Sequence, residues 1–359
     1  MNPILRVHLD AIGHNVRVWR RRLGSRPLWA VVKCDAYRMG MVPVARAALE
    51  AGAERLCVVE VAEAHGLREA GITAPIVHVA ATPPEDFATA LADRVIVSTG
   101  DAALARELSR AAARLGVRAQ AHVAVETGTG WWGVPAAHTA AFASEVVSLD
   151  NITWEGAWTH IAGQDSVAAQ AQRFRAAVAS LRQAGLAVPS IHAASTGPTV
   201  WGLDEGAARV GIGLYGSSLG FALGSAALAL QTAVEVRAPI YAVRTFEEAT
   251  PLGYGGMHVA QAGETIATLR IGYGEGLPKT LSGHGHALLG DVACRIVGAI
   301  GMNFTMVAVP AGAAVDPRGH ALLLSDAPGV RLDDVAQAAR TIPHHVLTQL
   351  GAGMERVYS

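Results

Sequence analysis

Lys33 closes the apolar run LWAVVK (Leu28–Lys33) and is followed by CDAYRMG. A lysine at the C-terminal end of a buried strand can be desolvated by its neighbours, which lowers its pKa and suits it to Schiff-base formation with a carbonyl. The plain alternative is a lysine that snorkels to solvent from a strand end. His160 ends the run WEGAWTH in the same way, and Tyr254 and Tyr273 lie in the glycine turns PLGYGGMH and IGYGEG. Taken singly, that histidine reads as a satisfied core residue and those tyrosines as packing or hydrogen-bonding residues. The segment after Arg209 carries Gly211-x-Gly213-x-x-Gly216, with Glu235 beyond it, a spacing that matches a dinucleotide fingerprint. That fingerprint must open a helix, and SSLGFALGSAAL is broken by Gly and Ser. The other reading gives the backbone amides of Gly211 and Ile212 a phosphate to hold, a recurring use of late barrel loops. No HExxH, paired CxxC or EF-hand-like loop occurs, so no metal site is expected, and no serine sits in Gly-x-Ser-x-Gly.

Residues at strand ends need strands, and the first two-thirds of the chain supplies them. Short runs rich in Val, Ile and Ala alternate with helical periodicity. The predicted strands are Leu28–Lys33, Arg55–Glu60, Pro75–Val79, Arg94–Ser98, Ala119–Val125, Thr153–Thr159, Ser190–Ala194 and Ala208–Gly211. Helices are predicted at Met41–Ala51, Val61–Ala70, Asp101–Leu115 and Val167–Ala184. Eight such units predict an α/β fold with a parallel, TIM-type (β/α)8 barrel. From Ala226 the runs Ala233–Val243, Glu264–Ile271, His286–Leu289 and Ala293–Gly301 are separated by Gly and Pro turns, and helix returns only near Leu332–Arg340. The expected division is a barrel over 1–225 and a mostly β domain over 226–359, with the first few residues joining the latter. A balance of 29 Lys+Arg against 30 Asp+Glu removes the electrostatic case for nucleic acid. No apolar run reaches the roughly 18–20 residues that span a bilayer, and MNPILRVHLDAIGHNV does not read as a secretory signal. Three cysteines without CxxC point to a cytoplasmic protein with reduced thiols.

Together these segments resemble the alanine racemase family, PLP-dependent enzymes built from a barrel and a β domain. The resemblance runs from RVHLDAIGHNV to MERVYS, and its most specific piece is AVVKCDAYRMG, similar to AVVKANAYGHG. It implies that Lys33 binds PLP and that Tyr37 contacts the phosphate. WTHIAGQD, HAASTG and ARVGIGLYG are similar to further motifs. They imply His160 beside the pyridine ring, Ser195 and the Gly211 and Ile212 amides on the phosphate, and Arg209 at the pyridine nitrogen. PLGYGGMHV implies that Tyr254 is the second catalytic base, opposite Lys33. IGYGEGLPKTLS places Tyr273 at the substrate entrance, and GMNF places Met302 toward the substrate carboxylate. An arginine at the pyridine nitrogen, where related decarboxylases carry glutamate, favours racemisation.

The departures are concentrated. Where the family has KVDTGMxRxG this chain has AVETGTGWWG, so a lysine that is often carbamylated becomes Ala124 and an arginine becomes Trp131. The family's SMD aspartate becomes Asn303, and a C-terminal phosphate-contacting tyrosine maps to Ala352. Losing the arginine and the carbamate together avoids an uncompensated buried charge. The resemblance thus implies a PLP-dependent amino-acid racemase with a pocket retuned away from alanine around Trp131. It also implies a homodimer in which Tyr254 acts across the interface. The alternatives are another PLP reaction on this scaffold, retro-aldol cleavage or transamination, and a non-catalytic PLP-binding protein.

Overall fold

The computed structural model describes residues 2–219 and 228–359. It divides into two compact units, one of Val16–Ala36 and Met41–Gly213, the other of Met1–Asn15, Tyr37–Gly40 and Leu214–Ser359. The boundary expected at 225/226 lies outside the described residues.

The first unit is the barrel. Strands form at Leu28–Val31, Arg55–Val58, Ile76–His78, Val95–Thr99, Ala119–Glu126, Ile152–Trp158, Ser190–His192 and Ala208–Val210, one for each predicted run. Neighbours pair in parallel, in chain order from Leu28–Val31 to Ser190–His192. The short strand Ala194–Ser195 continues directly from Ser190–His192 and pairs with Ala208–Val210, which pairs with Leu28–Val31. The ring therefore closes through the chain itself. Every residue of Leu28–Val31, Ile76–His78 and Val95–Thr99 is buried, as strands covered on both faces must be. The crossover helices Met41–Glu50, Val61–Glu69, Ala102–Leu115 and Val167–Gln183 match the predicted ones to within about a residue at each end. Helix Ala102–Leu115 begins where the Asp101 carboxylate accepts from Leu104 N–H (2.7 Å) and ends at Gly116, φ 67°.

Six strands stop one or two residues short of their predicted ends. Leu28–Val31 ends two residues before Lys33, because the short helix Lys33–Arg38 is wound left-handed. Cys34, Asp35, Ala36, Tyr37 and Arg38 all have φ between 51° and 67°. For non-glycine residues that conformation costs about 1–2 kcal/mol each, so the surroundings must impose it. Ala36 N–H donates to Val32 C=O (2.8 Å), the Asp35 carboxylate accepts from Met41 N–H (2.7 Å), and the Glu63 carboxylate accepts from the N–H groups of Cys34 and Val59. Such local strain is characteristic of functional segments. Strand Ile152–Trp158 likewise ends two residues before His160.

The second unit is an antiparallel sheet. Strands Thr265–Leu269, Thr305–Val309, Val292–Val297, His286–Leu289, His320–Leu324 and Val234–Thr245 pair in that order, and the last returns to the first. Ile4–Val7 joins the far side of Val234–Thr245 and pairs in parallel with Glu355–Tyr358. The expectation of a single late helix needs correcting: Leu332–Ala338 is followed by Pro343–Leu350. Pro343 stands in the first turn of that second helix, where proline starts a helix rather than breaking it. Among the described residues no helix is long and apolar enough to cross a membrane.

Candidate active site

The inside of the barrel is unusually polar. Trp29, Arg55, His122, Trp158, His192 and Arg209 come from six different strands. An arginine can only donate, so Arg209 Nη1 must give a proton to His192 Nδ1 (2.8 Å). That places the His192 proton on Nε2, which donates to His122 Nδ1 (2.8 Å). Arg209 also donates from Nη1 to the His192 carbonyl and from Nη2 to Thr159 C=O (2.8 Å). Its guanidinium lies over Trp158 (5.3 Å), whose ring stacks on His192, and Arg55 lies over Trp29 (5.0 Å). Sequence reasoning missed His122, His192, Arg55 and Trp158. The only available signal was a polar residue repeatedly placed inside an apolar run.

Burial sets the charge states here. His122 is held down at about 3 by burial and by the neighbouring Arg55 and Arg209. His192 lies well below its ordinary value for the same reasons. His160, at the strand-end mouth, is lowered to about 4 by burial and then by the positive charges of Arg209 and Lys33. That coupling places Lys33, His160 and Arg209 in one neighbourhood. Arg209, fully buried, is lowered to about 10 by desolvation and stays cationic at neutral pH.

These three imidazoles make the protein acid-sensitive. Unfolded histidine takes a proton near pH 6.5, whereas the folded groups do not until far lower, so the unfolded state binds more protons as pH falls. Stability is fully present above that point and is lost as pH drops toward 4, at up to about 1.4 kcal/mol per pH unit for each histidine. Thermal melts between pH 7.5 and 4.5 should show a steep fall in Tm; a flat Tm would contradict these charge states.

Around the mouth, Ser195 ends its strand and precedes the short helix Thr196–Val200. Gly211 N–H donates to Thr196 Oγ1 (3.2 Å), and Ile212 opens a single 3-10 turn rather than the long helix a dinucleotide fingerprint requires. Gly213 has a packing reason instead: a Cβ there would lie 2.6 Å from the Trp19 indole nitrogen. Ala124 is buried on Ala119–Glu126. Trp131 is 70% exposed and lies parallel to His160, ring centres 5.1 Å apart and planes 12° apart. Trp132 turns inward, its ring edge-on to Trp158 (5.9 Å) and so close to Gly100 that a Cβ there would be 2.7 Å away. A cavity of only about 20 Å³ remains among Ala124, Glu126, Thr129, Trp131, Trp132, Trp158 and His160.

The other unit carries the remaining candidates. Tyr37 is buried edge-on to Tyr215 (5.4 Å) and tilted against His344 (5.6 Å). Tyr254 is 81% exposed in a turn flanked by Gly253 (φ 60°) and Gly255 (φ 76°). Tyr273 and Met302 are exposed as well, and Asn303 Nδ2 donates to the Glu275 carboxylate (2.8 Å). Among the described residues no three His, Cys, Asp or Glu side chains converge on a possible metal.

Comparison with known proteins places this arrangement. Residues 7–219 match the family model "Alanine racemase, N-terminal domain" and residues 233–358 match "Alanine racemase, C-terminal domain". The chain is 32% identical over 364 residues to an alanine racemase of Desulforamulus reducens, covering 98% of this chain and 97% of that one. It is 34% identical over 358 residues to one of Syntrophobacter fumaroxidans, covering 96% and 94%. The crystal structure of alanine racemase from D-cycloserine-producing Streptomyces lavendulae superposes with a TM-score of 0.94 at 31% identity, covering 100% of this chain and 97% of that one. A PLP-dependent barrel with an appended β domain, matched over nearly its whole length, this chain belongs to the alanine racemase family.

Proposed function

We propose that the protein is a PLP-dependent amino-acid racemase that uses Lys33 and Tyr254 on opposite faces of the substrate's Cα, in a pocket retuned away from alanine. The observation that carries this reading is Arg209. It is a buried cation whose hydrogen-bond partners are an imidazole and two carbonyls, close enough to Lys33 for both charges to act on His160. No carboxylate appears among the groups that shift Arg209. A buried guanidinium that donates only to neutral groups fits an anionic ligand, and, being donor-only, it fits an unprotonated ring nitrogen. PLP meets both demands and, when bound, supplies the electron sink that acidifies a Cα–H.

The residues then divide the work. Lys33 holds the cofactor and moves the proton on one face. Arg209 would cap the pyridine nitrogen and keep it unprotonated, and neutral His160 would stand beside the ring. Tyr37, Ser195 and the amides of Gly211 and Ile212 take the phosphate, the Gly211 amide by leaving or sharing its bond to Thr196. Tyr254 serves the other face from a second copy of the chain. The exposure of Tyr254, Met257 and Met302 suits an interface that covers them. Tyr273 and Met302 of that copy line the substrate entrance.

The retuning rests on Ala124, Trp131 and Asn303. Trp131 has replaced a bidentate carboxylate donor with a large apolar face, and Trp132 fills space beside Ala124. A small substrate gains little from an indole wall, whereas a larger side chain recovers about 25 cal/mol per Å² of apolar surface buried. The expected outcome is a poor kcat/KM for alanine and a better one for some bulkier amino acid or derivative, with Trp131→Arg shifting the ratio back toward alanine. A racemisation panel followed by chiral chromatography measures both. Alanine as the best substrate of the parent would remove the retuning and leave the racemase; no racemisation of any amino acid would remove both.

A further inference from the structure

The loop that carries Trp131 is organised around one side chain. The Glu126 carboxylate, at the end of its barrel strand, accepts backbone N–H bonds from Gly128, Thr129 (2.7 Å), Gly130 (3.0 Å) and Trp131 (3.2 Å). Charge-assisted bonds of this kind are about twice as strong as neutral ones, and four of them fix successive peptide planes. Two further ties hold the loop: Thr129 Oγ1 donates to His160 C=O (2.6 Å), and Arg173 Nε donates to Thr127 C=O (2.6 Å). Gly128 (φ 136°), Gly130 (φ 76°) and Gly133 (φ 118°) provide the backbone shapes that let the chain curl around a single carboxylate. Both oxygens of Glu126 are engaged in this way, so it serves as an anchor and not as a proton carrier.

What the anchor delivers is the indole. Trp131 is mostly exposed, and an exposed tryptophan on a short loop has no packing of its own to hold it flat. It nevertheless lies parallel to His160 at 5.1 Å. We infer that Glu126 is a positioning residue: by gathering the loop's N–H groups it lays Trp131 on one face of His160 and so fixes the imidazole plane at the barrel mouth. The placement of His160 beside a cofactor ring gives this clamp its use and rests on the function proposed above; the clamp itself does not.

The test compares Glu126→Gln, Trp131→Ala and the double variant in the protein as purified. Glutamine keeps the size but offers a single acceptor oxygen and turns an NH2 toward the loop's donors. In the parent, the His160 ring protons, assigned by their loss in His160→Gln, should be shifted upfield in the NMR spectrum by the indole ring current. Glu126→Gln should abolish that shift although Trp131 is still present, with Tm within a few degrees of the parent. On the best substrate found, kcat/KM should fall roughly tenfold or more in Glu126→Gln, and the double variant should be no worse than the poorer single one, since residues acting through one another are not additive. Retention of the parent's His160 shift in Glu126→Gln would overturn the inference, whatever the activity. So would fully additive losses in the double variant. A protein without racemase activity that still loses the shift would keep the clamp and overturn only the proposed function.

Discussion

Tyr254→Phe is expected to bind PLP as the parent does while racemisation falls in both directions by about 10²–10⁴, the usual contribution of one general acid–base group. The substitution removes a single oxygen from a side chain that is 81% exposed and sits in a turn shaped by Gly253 and Gly255. Folding therefore gives no route by which the change could act. Enantiomers interconvert with an equilibrium constant of 1, so kcat/KM must fall by the same factor in both directions, because Tyr254 would act as base in one direction and as acid in the other. Rates near those of the parent would end the two-base mechanism.

Lys33→Ala is expected to be the more severe change, since on the proposed function the one ε-amino group would both hold the cofactor and serve the opposite face. A loss at or beyond the upper end of that range, about 10⁴, follows from combining the two roles. The parent should be yellow, absorbing near roughly 420 nm as a PLP–lysine linkage does, and the variant should not. Borohydride reduction of the parent should leave the label on the peptide containing Lys33. A label on Lys279, which lies over the Tyr273 ring in the other unit, would contradict the assignment.

The barrel could be read from the sequence because a doubly covered parallel strand needs an unbroken apolar run. Eight such runs, each bounded by turns or helical periodicity, admit few other folds. Strand ends were read less well. Lys33 and His160 were expected to end their strands, yet each lies two residues beyond. The left-handed turn after Lys33 left no trace in the sequence, since none of the five residues that adopt it is glycine. Helix Pro343–Leu350 was missed because a late proline carries no signal of whether it starts or stops a helix.

The site was legible where residues stand in motifs and illegible where they act across the barrel. Lys33 stood out at the end of an apolar run, whereas His160 and Arg209 gained their roles only from the resemblance; the charges of Lys33 and Arg209 both act on His160. His122 and His192, 70 residues apart, gave no cue that they would meet, and neither residue alone looks different from a core histidine. Glu126 read as one acidic residue in a glycine-rich loop; only the backbone path shows four N–H groups turning toward it. Trp131 alone was assigned to the pocket; that it forms an exposed plate over His160 while Trp132 wedges inward against Gly100 depends on a loop conformation that composition does not encode.

The central claim is that this chain removes and returns a proton at the Cα of an amino acid. Incubating the PLP-loaded protein with a panel of single-enantiomer amino acids in deuterated water tests it most directly, with Cα deuterium followed by NMR and enantiomer content by chiral chromatography. The account predicts that at least one amino acid, bulkier than alanine, acquires Cα deuterium as it inverts, with the label in the newly formed enantiomer. Deuterium exchange without inversion, accumulation of a keto acid or an aldehyde instead, or no exchange with any member of the panel would contradict it.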